Sequence, residues 1–301
     1  MVERSGEARL GGHVIEDAKD SIAGVPEVIQ SRGLCGYTLA RRRLVKNPAT
    51  LALALALVSG PAFGAGFSYD DWSKVLGKYV NEKGYVNYDG LAKDRAELDR
   101  FLAAIEKQSP RSSPDLFPTK ADKEAYWINA YNASVFKKVL GRGPEQKSVW
   151  GGGLLGIAFF TEKDVLVGGE TTSLKKLEDE DVREQFADPR VHAALNCASK
   201  GCPRLPQTAF LPEKLDQQLD QGMTEFVGEA RNVTVDDAAK TVMLSKIFDW
   251  FSKDFKNYEK THGNPDGNQV DYVNRYRGSN PKVPKDYKVK FFEYDKSINK
   301  Q

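Results

Sequence analysis

Lys123-Glu-Ala-Tyr-Trp-Ile-Asn-Ala-Tyr-Asn-Ala-Ser-Val-Phe-Lys-Lys-Val-Leu140 reads as a helix ended by Gly141, a residue suited to a left-handed cap. Downstream, Val165-Leu-Val-Gly-Gly-Glu-Thr-Thr172 reads as a hairpin turning at Gly168-Gly169. A helix of this length beside a short hairpin sets the pattern for the rest. Phe67–Leu76 and Leu91–Ile105 are expected to be amphipathic helices, with a hairpin over 79–88 turning at Lys83-Gly84 between them. Gln108–Lys120, with three prolines and three serines, is expected to be a loop.

Val149–Gly156 is a glycine-rich loop that formally satisfies G-x-G-x-x-G, yet no apolar strand precedes it. Ile157-Ala-Phe-Phe-Thr161 after it reads as strand, so the context of a dinucleotide fingerprint is missing. Ser173 is placed to cap a helix running to about Phe186, and Asp188-Pro189 opens another element. Glu213–Ala230 carries Leu215, Leu219, Met223, Phe226 and Val227 on one helical face. Val233–Leu244 is an alternating hairpin turned at Asp236-Asp237, and Ser245 caps an aromatic helix containing Phe248, Trp250, Phe251 and Phe255. Tyr258–Val283 is polar and turn-rich, and Tyr287–Tyr294 offers a last strand. Helices mixed with hairpins, without repeated strand–helix alternation, predict an α+β fold. It is read as a single domain over residues 65–301, with antiparallel hairpins packed against amphipathic helices.

Ahead of that domain, Ala49–Val58 is a short apolar run preceded by Arg41-Arg42-Arg43 and Lys46 and followed by small residues at Ala62, Gly64 and Ala65. Ten residues fall short of the roughly 20 that span a bilayer, so the run is read as the core of a secretory signal peptide, with cleavage near residues 64–66. The arginine run also resembles a twin-arginine export box, with Ala40 in place of the usual Ser or Thr. Residues 1–40 form a mixed-charge leader, read either as functional or as the result of a start codon placed too far upstream. The expected location is periplasmic or secreted, with no stable membrane insertion after cleavage.

The chain of 301 residues carries 44 Lys and Arg against 42 Asp and Glu; eight bases and six acids fall in residues 1–64, which leaves 36 of each beyond them. A neutral body has no electrostatic footprint for nucleic acid, so none is expected as a partner. Of the three cysteines, only Cys197 and Cys202 lie in the expected domain, too few for a disulfide framework, and its only histidines are His192 and His262. His262 sits in a Gly/Asn/Pro-rich stretch and is read as a surface residue.

Three features carry potential chemistry. Glu124 shares a helical face with Trp127, Ile128 and Tyr131 and should be drawn inward. It then either bridges neighbouring elements or orients a histidine. His192 precedes Cys197 by five residues, a spacing that pairs them neither on a strand nor on a helix without a bend. Cys197 and Cys202 are open to three readings: a small-loop disulfide, metal ligands together with His192, or one reactive thiolate.

These blocks resemble the bacterial and plant family catalogued as domain of unknown function 547. The resemblance rests on Ala125-Tyr-Trp-Ile-Asn-Ala-Tyr-Asn-Ala133, Val167-Gly-Gly through Ser173-Leu174, Asp188–Pro203, Leu244–Phe255 and Tyr294–Asn299, in that order. It implies that Glu124, His192 and Cys197 form a site similar to the Cys-His-acid sites of cysteine hydrolases in permuted order, and a papain-like fold is one expectation. Cys202 falls where plant members often differ; Ala193 replaces a usual aromatic residue and Lys296 a usual Trp. On this basis Cys197 is expected as nucleophile, His192 as base and Glu124 as orienting acid. Asn129, Tyr131, Asn196 and Ser199 are expected to bind substrate, with Asn196 or the backbone of Ala198-Ser199 as oxyanion donor. The chain is thus expected to be an exported cysteine-dependent hydrolase or acyl/thiol transferase needing no cofactor or metal. The rival expectation is a non-catalytic periplasmic module binding a small peptide or a thiol such as glutathione.

Overall fold

The computed structural model describes residues 66–301, apart from 144 and 152–153. The expected signal peptide and leader lie outside these residues. The fold is α+β, as helices mixed with hairpins predict.

Helix α1 spans Asp70–Tyr79, starting three residues later than expected, where Asp70 and Asp71 favour the positive end of the helix. The expected helix over Leu91–Ile105 is two, α2 (Tyr88–Lys93) and α3 (Ala96–Lys107). Asp94 breaks them apart: its carbonyl and carboxylate both accept from the Tyr79 hydroxyl, at 3.2 and 3.1 Å. The expected 79–88 hairpin is reduced to a turn closed by one bridge, Val80 to Val86.

Helix α4, Lys120–Arg142, opens on a capping box between Thr119 and Asp122, three residues earlier than expected. It also runs past Gly141 and ends at Gly143, whose φ of 95° is a conformation that L side chains rarely adopt. From Glu124 to Phe136 every residue of α4 is buried, which makes it the central helix of the fold. Residues Leu154–Thr161 form helix α5, which takes up the end of the expected loop and all of the expected strand over Ile157–Thr161. A short, wholly apolar run does not distinguish the two by periodicity, and here Phe159 is buried beneath Lys138 and Arg142 of α4. No strand precedes α5 among the described residues, so the dinucleotide context is still absent.

Strands β1 (Val165–Val167) and β2 (Glu170–Thr172) form the expected hairpin. Ser173 caps α6 (Leu174–Lys176), which continues directly into a π-helical segment, Leu177–Glu184. Pro189–Ala193 is a 3-10 turn capped by Asp188. Helix α7 (Leu215–Gly228) leads to β3 (Val233–Asp236) and β4 (Thr241–Leu244), paired antiparallel. The aromatic helix is broken at Phe251 into α8 (Lys246–Trp250) and α9 (Ser252–Thr261). The polar, turn-rich segment over Tyr258–Val283 holds α10 (Gln269–Arg275). Strand β5 (Lys288–Phe291) then pairs parallel to β4, against the expectation of antiparallel pairing alone. The three helices between β4 and β5 supply the long crossover that a parallel pair requires.

Two apolar clusters result. The first gathers α1, α3, α4 and the π-helical segment around Trp72, Tyr126, Trp127 and Phe136. The second joins α7, α8, α9, α10 and the three-stranded sheet around Phe226, Phe248, Phe255 and Tyr272. The 3-10 turn crosses between them: Val191 and Ala194 belong to the first cluster and Ala193 to the second. His192 therefore sits on the seam. Among the described residues no helix is long and apolar enough to cross a membrane.

Candidate functional site: a thiol pair and a histidine–carboxylate pair

The segment after the 3-10 turn is pinned from inside. Asn132 on α4 accepts from Asn196 N–H at 2.9 Å and donates to the Ala194 carbonyl at 3.0 Å. The Asn196 side chain donates to the Pro203 carbonyl at 2.7 Å and accepts from Ala198 N–H and from Asn299 Nδ2. These bonds close the 196–203 loop and hold Ala198 at φ 65°, in the left-handed region. A non-glycine residue held there carries backbone strain.

Closing the loop brings its two cysteines into contact. The sulphurs lie 2.9 Å apart as free thiols, so the small-loop disulfide is not formed here. Cys202 is buried and receives the Cys197 backbone N–H at 3.0 Å; Cys197 is only half-buried. The Tyr294 hydroxyl stands 3.4 Å from Cys197 Sγ and 3.1 Å from Cys202 Sγ. Ser199 Oγ accepts from Cys197 at 3.5 Å and from Trp150 Nε1 at 2.8 Å. Tyr294 can come this close because residue 201 is glycine: a Cβ there would lie 2.7 Å from the Tyr294 ring.

The two thiols are driven apart in acidity. The hydrogen bond from Cys202 lowers the Cys197 pKa, and those of Tyr294 and Ser199 add to it against the opposing effect of burial. Burial raises Cys202 well above its ordinary value, and the neighbouring Cys197 adds to that rise. Cys197 is therefore the more acidic thiol of the pair, and Cys202 holds its proton more firmly. Trp150, Trp250 and Tyr294 form an aromatic cluster beside them, with Trp250 45% exposed.

His192 takes a different partner from the one expected. Its Nε2 lies 2.8 Å from Asp254 Oδ2 on α9, and its ring stacks on Phe251 at 4.1 Å. Arg183, from the π-helical segment, grips the same carboxylate at 2.8 and 3.2 Å and covers Phe251. Burial tends to raise Asp254, but the bonds from His192 and Arg183 outweigh it and hold the carboxyl at about 2. Burial lowers the His192 pKa, which favours the neutral ring. An ionised acceptor at Nε2 fixes the proton there and leaves the Nδ1 lone pair free.

Glu124 joins neither group. It is buried at the start of α4, lines a separate cleft with Asp188 and Arg190, and accepts no hydrogen bond among the described residues. The carboxylate that pairs with His192 is thus Asp254 rather than the expected Glu124, and no hydrogen bond among the described residues joins His192 to Cys197.

The expected substrate contacts also fare unevenly. Asn129 bonds the backbone of Ala125 and of Phe210, and Asn196 holds its own loop, so both amides are used in the fold. Ala198 N–H is likewise occupied by Asn196, which removes it as an oxyanion donor. The Tyr131 hydroxyl is buried and donates to Glu178 at 3.1 Å, whose carboxyl burial pushes up to about 6. Ser199 alone touches the sulphur. His262 is exposed at the end of α9, stacked on Tyr258. Among the described residues no group of three or more His, Cys, Asp or Glu is placed to hold a metal ion.

The sequence alone does not mark Tyr294, Asp254, Arg183 or Glu178 as site residues. An acid three residues after Phe251 and directly before Phe255, on an aromatic helix, was the available signal for Asp254. Nothing comparable marked Arg183 or Glu178, whose placement depends on the π-helical winding.

Residues 117–227 match the family model described as a protein of unknown function, DUF547. That stretch contains Glu124, His192, Cys197 and Cys202, and stops short of Asp254 and Tyr294. No curated protein and no solved structure matches the chain.

Proposed function

Since the chain belongs to the DUF547 family through residues 117–227, and that description assigns no activity, we propose from the geometry that it is a thiol transferase working by thiol–disulfide exchange at Cys197. The observation that carries this reading is the 2.9 Å contact between a half-buried Cys197, whose thiol is the more acidic, and a buried Cys202, whose acidity burial suppresses. Attack needs a thiolate, and resolution needs a second thiol within reach. Cys197 thiolate attacks one sulphur of a substrate disulfide; the other sulphur leaves as thiolate and takes up a proton. Cys202 then loses its proton and attacks Cys197 Sγ, releasing the second substrate thiol and leaving a Cys197–Cys202 disulfide. Two equivalents of an external thiol then return the pair to its reduced form: the first attacks to give a mixed disulfide, and the second displaces it and leaves as the external disulfide. The reading takes the protein to work in the periplasm or outside the cell, after cleavage of an export signal.

The test is incubation of the reduced protein with oxidised glutathione, followed by mass spectrometry. Wild type is expected to end as the intramolecular disulfide, and Cys202→Ala to stop at a glutathione adduct on Cys197. A Cys197 that stays unmodified in both proteins rules the reading out.

A second reading rests on the His192–Asp254 pair, whose free Nδ1 lone pair suits a general base. In a cysteine hydrolase of papain-like kind, Cys197 would attack an acyl centre with His192 accepting the proton. His192→Ala would then abolish turnover of an ester probe while leaving the glutathione reaction in place. A binding module for a peptide or thiol would instead show saturable binding without any covalent change at Cys197.

A further inference from the structure

The start of α4, the segment around Asp188 and the start of α7 enclose an open cleft of about 460 Å³, a volume suited to a small ligand. Its lining is mostly charged, and most of those charges already have partners. Arg190 binds Asp188 through Nε and Nη2, at 3.0 and 2.7 Å, and reaches Asp216 and Asp220 through Nη1 at 2.8 Å each. These contacts occupy the Arg190 guanidinium, and Asp220 also accepts from the Tyr276 hydroxyl at 3.4 Å.

Glu124 is different. Only 4% of the residue is exposed, its Oε1 is buried without a partner, and neither carboxyl oxygen accepts a hydrogen bond among the described residues. A carboxylate taken out of water needs a donor, and nothing around it supplies one. At the same cleft stand two lysines: Lys120, whose Nζ makes one long bond to the Phe186 carbonyl at 3.4 Å, and Lys214. The cleft thus offers an unpaired carboxylate among its lining residues and ammonium groups beside it.

We propose that this cleft binds a small zwitterion of the amino-acid or peptide-end class, its ammonium group on Glu124 and its carboxylate on Lys120 and Lys214. An ammonium supplies the missing donors to Glu124, and three N–H bonds allow it to reach both oxygens. The site is separate from the thiol pair and its occupant need not contain sulphur. Burial first, and Asp188 second, push the Glu124 carboxyl up to about 7, so part of the empty site is protonated at neutral pH. Asp216 opposes ionisation further, Lys120 and Arg190 favour it, and Glu213 and Lys214 complete the charged lining. Binding of an ammonium therefore expels a proton and strengthens as pH rises through 7.

The test is calorimetric titration of the full chain with three probes: glycylglycine, N-acetylglycine and glycinamide. Glycylglycine is expected to bind at least 10-fold more tightly than either single-charge analogue, and more tightly at pH 8 than at pH 6. Glu124→Gln is expected to lose at least 10-fold in glycylglycine affinity, with its cooperative melting checked separately. Lys214→Ala should narrow the gap between glycylglycine and glycinamide. Equal binding of N-acetylglycine, undiminished binding by Glu124→Gln, or no heat with any probe would each overturn the proposal.

Discussion

His192 and Asp254 meet Nε2 to Oδ2 at 2.8 Å, where the 3-10 turn on the seam between the two apolar clusters packs against α9. The carboxylate is shared with Arg183, so the pair also ties α9 to the π-helical segment. Removing the carboxylate leaves the buried imidazole without its acceptor and Arg183 with Asp179 alone. Asp254→Ala is therefore expected to cost on the order of 2 to 4 kcal/mol by urea unfolding at pH 7. The pH dependence follows from the directions of the two shifts. Asp254 is depressed to about 2, so its contribution is present above the ordinary carboxylate range and is lost as pH falls through 2. His192 is also depressed, so the unfolded chain binds a proton that the folded chain refuses, and stability falls as pH drops below its ordinary 6.5. Asp254→Asn should flatten the lower part of this profile. An identical profile for the variant and wild type between pH 2 and 7 counts against the pairing.

The Tyr294 hydroxyl, within reach of both sulphurs, makes a second prediction possible. A hydroxyl donated to a thiolate stabilises it by about 1 kcal/mol, which is roughly a fivefold change in the thiolate fraction. Tyr294→Phe removes that donor while keeping the ring against Trp250. The rate of iodoacetamide modification of Cys197 at pH 7 is expected to fall by about fivefold, and its pH midpoint to move upward. A profile superimposable on wild type would mean that the tyrosine does not act on the sulphur.

Gly201 allows the third. Its position is set by Lys200 and Gly201 N–H groups donating to the carbonyls of Ser297 and Asp295 at 2.8 and 2.9 Å, which bring the C-terminal segment onto the cysteine loop. A methyl at residue 201 meets two Tyr294 ring carbons below 3 Å, so the ring must move. Gly201→Ala is expected to cost about 1 to 3 kcal/mol, the range of an overpacked core. It should also reproduce the slowed alkylation of Tyr294→Phe. A stable variant with unchanged Cys197 reactivity is the outcome that separates packing from chemistry here.

The sequence was most legible where one local signal sufficed. The Gly168-Gly169 hairpin, the Ser173 cap and the Asp188-Pro189 turn follow from turn and cap chemistry within a few residues. Boundaries shifted where a distant group decided them: Asp94 broke the expected second helix because Tyr79 claims it. Leu154–Thr161 misled because a uniformly apolar run has no period to read. The site followed the same division. The inward turn of Glu124 was readable from its helical face, but its isolation was not. The acid on His192 lies 62 residues away, and the hydroxyl on Cys197 lies 97 residues away, each delivered by a crossover that local patterns do not encode.

Glu124 supports a last prediction, opposite in sign to that for Asp254. Its folded-state value stands near 7 against an ordinary 4.5, so the folded chain holds a proton that the unfolded chain releases. Stability is accordingly greatest below 4.5 and is lost as pH rises through 7. A displacement of this size corresponds to about 2 to 4 kcal/mol between the two limits. Glutamine keeps the shape and cannot ionise, so Glu124→Gln should match wild type at pH 5 and exceed it at pH 8 by most of that amount. Urea unfolding at both pH values reads the difference directly. The two proteins losing stability in parallel between pH 5 and 8 would show that the buried carboxyl is already ionised and solvated, and that burial is not what governs it.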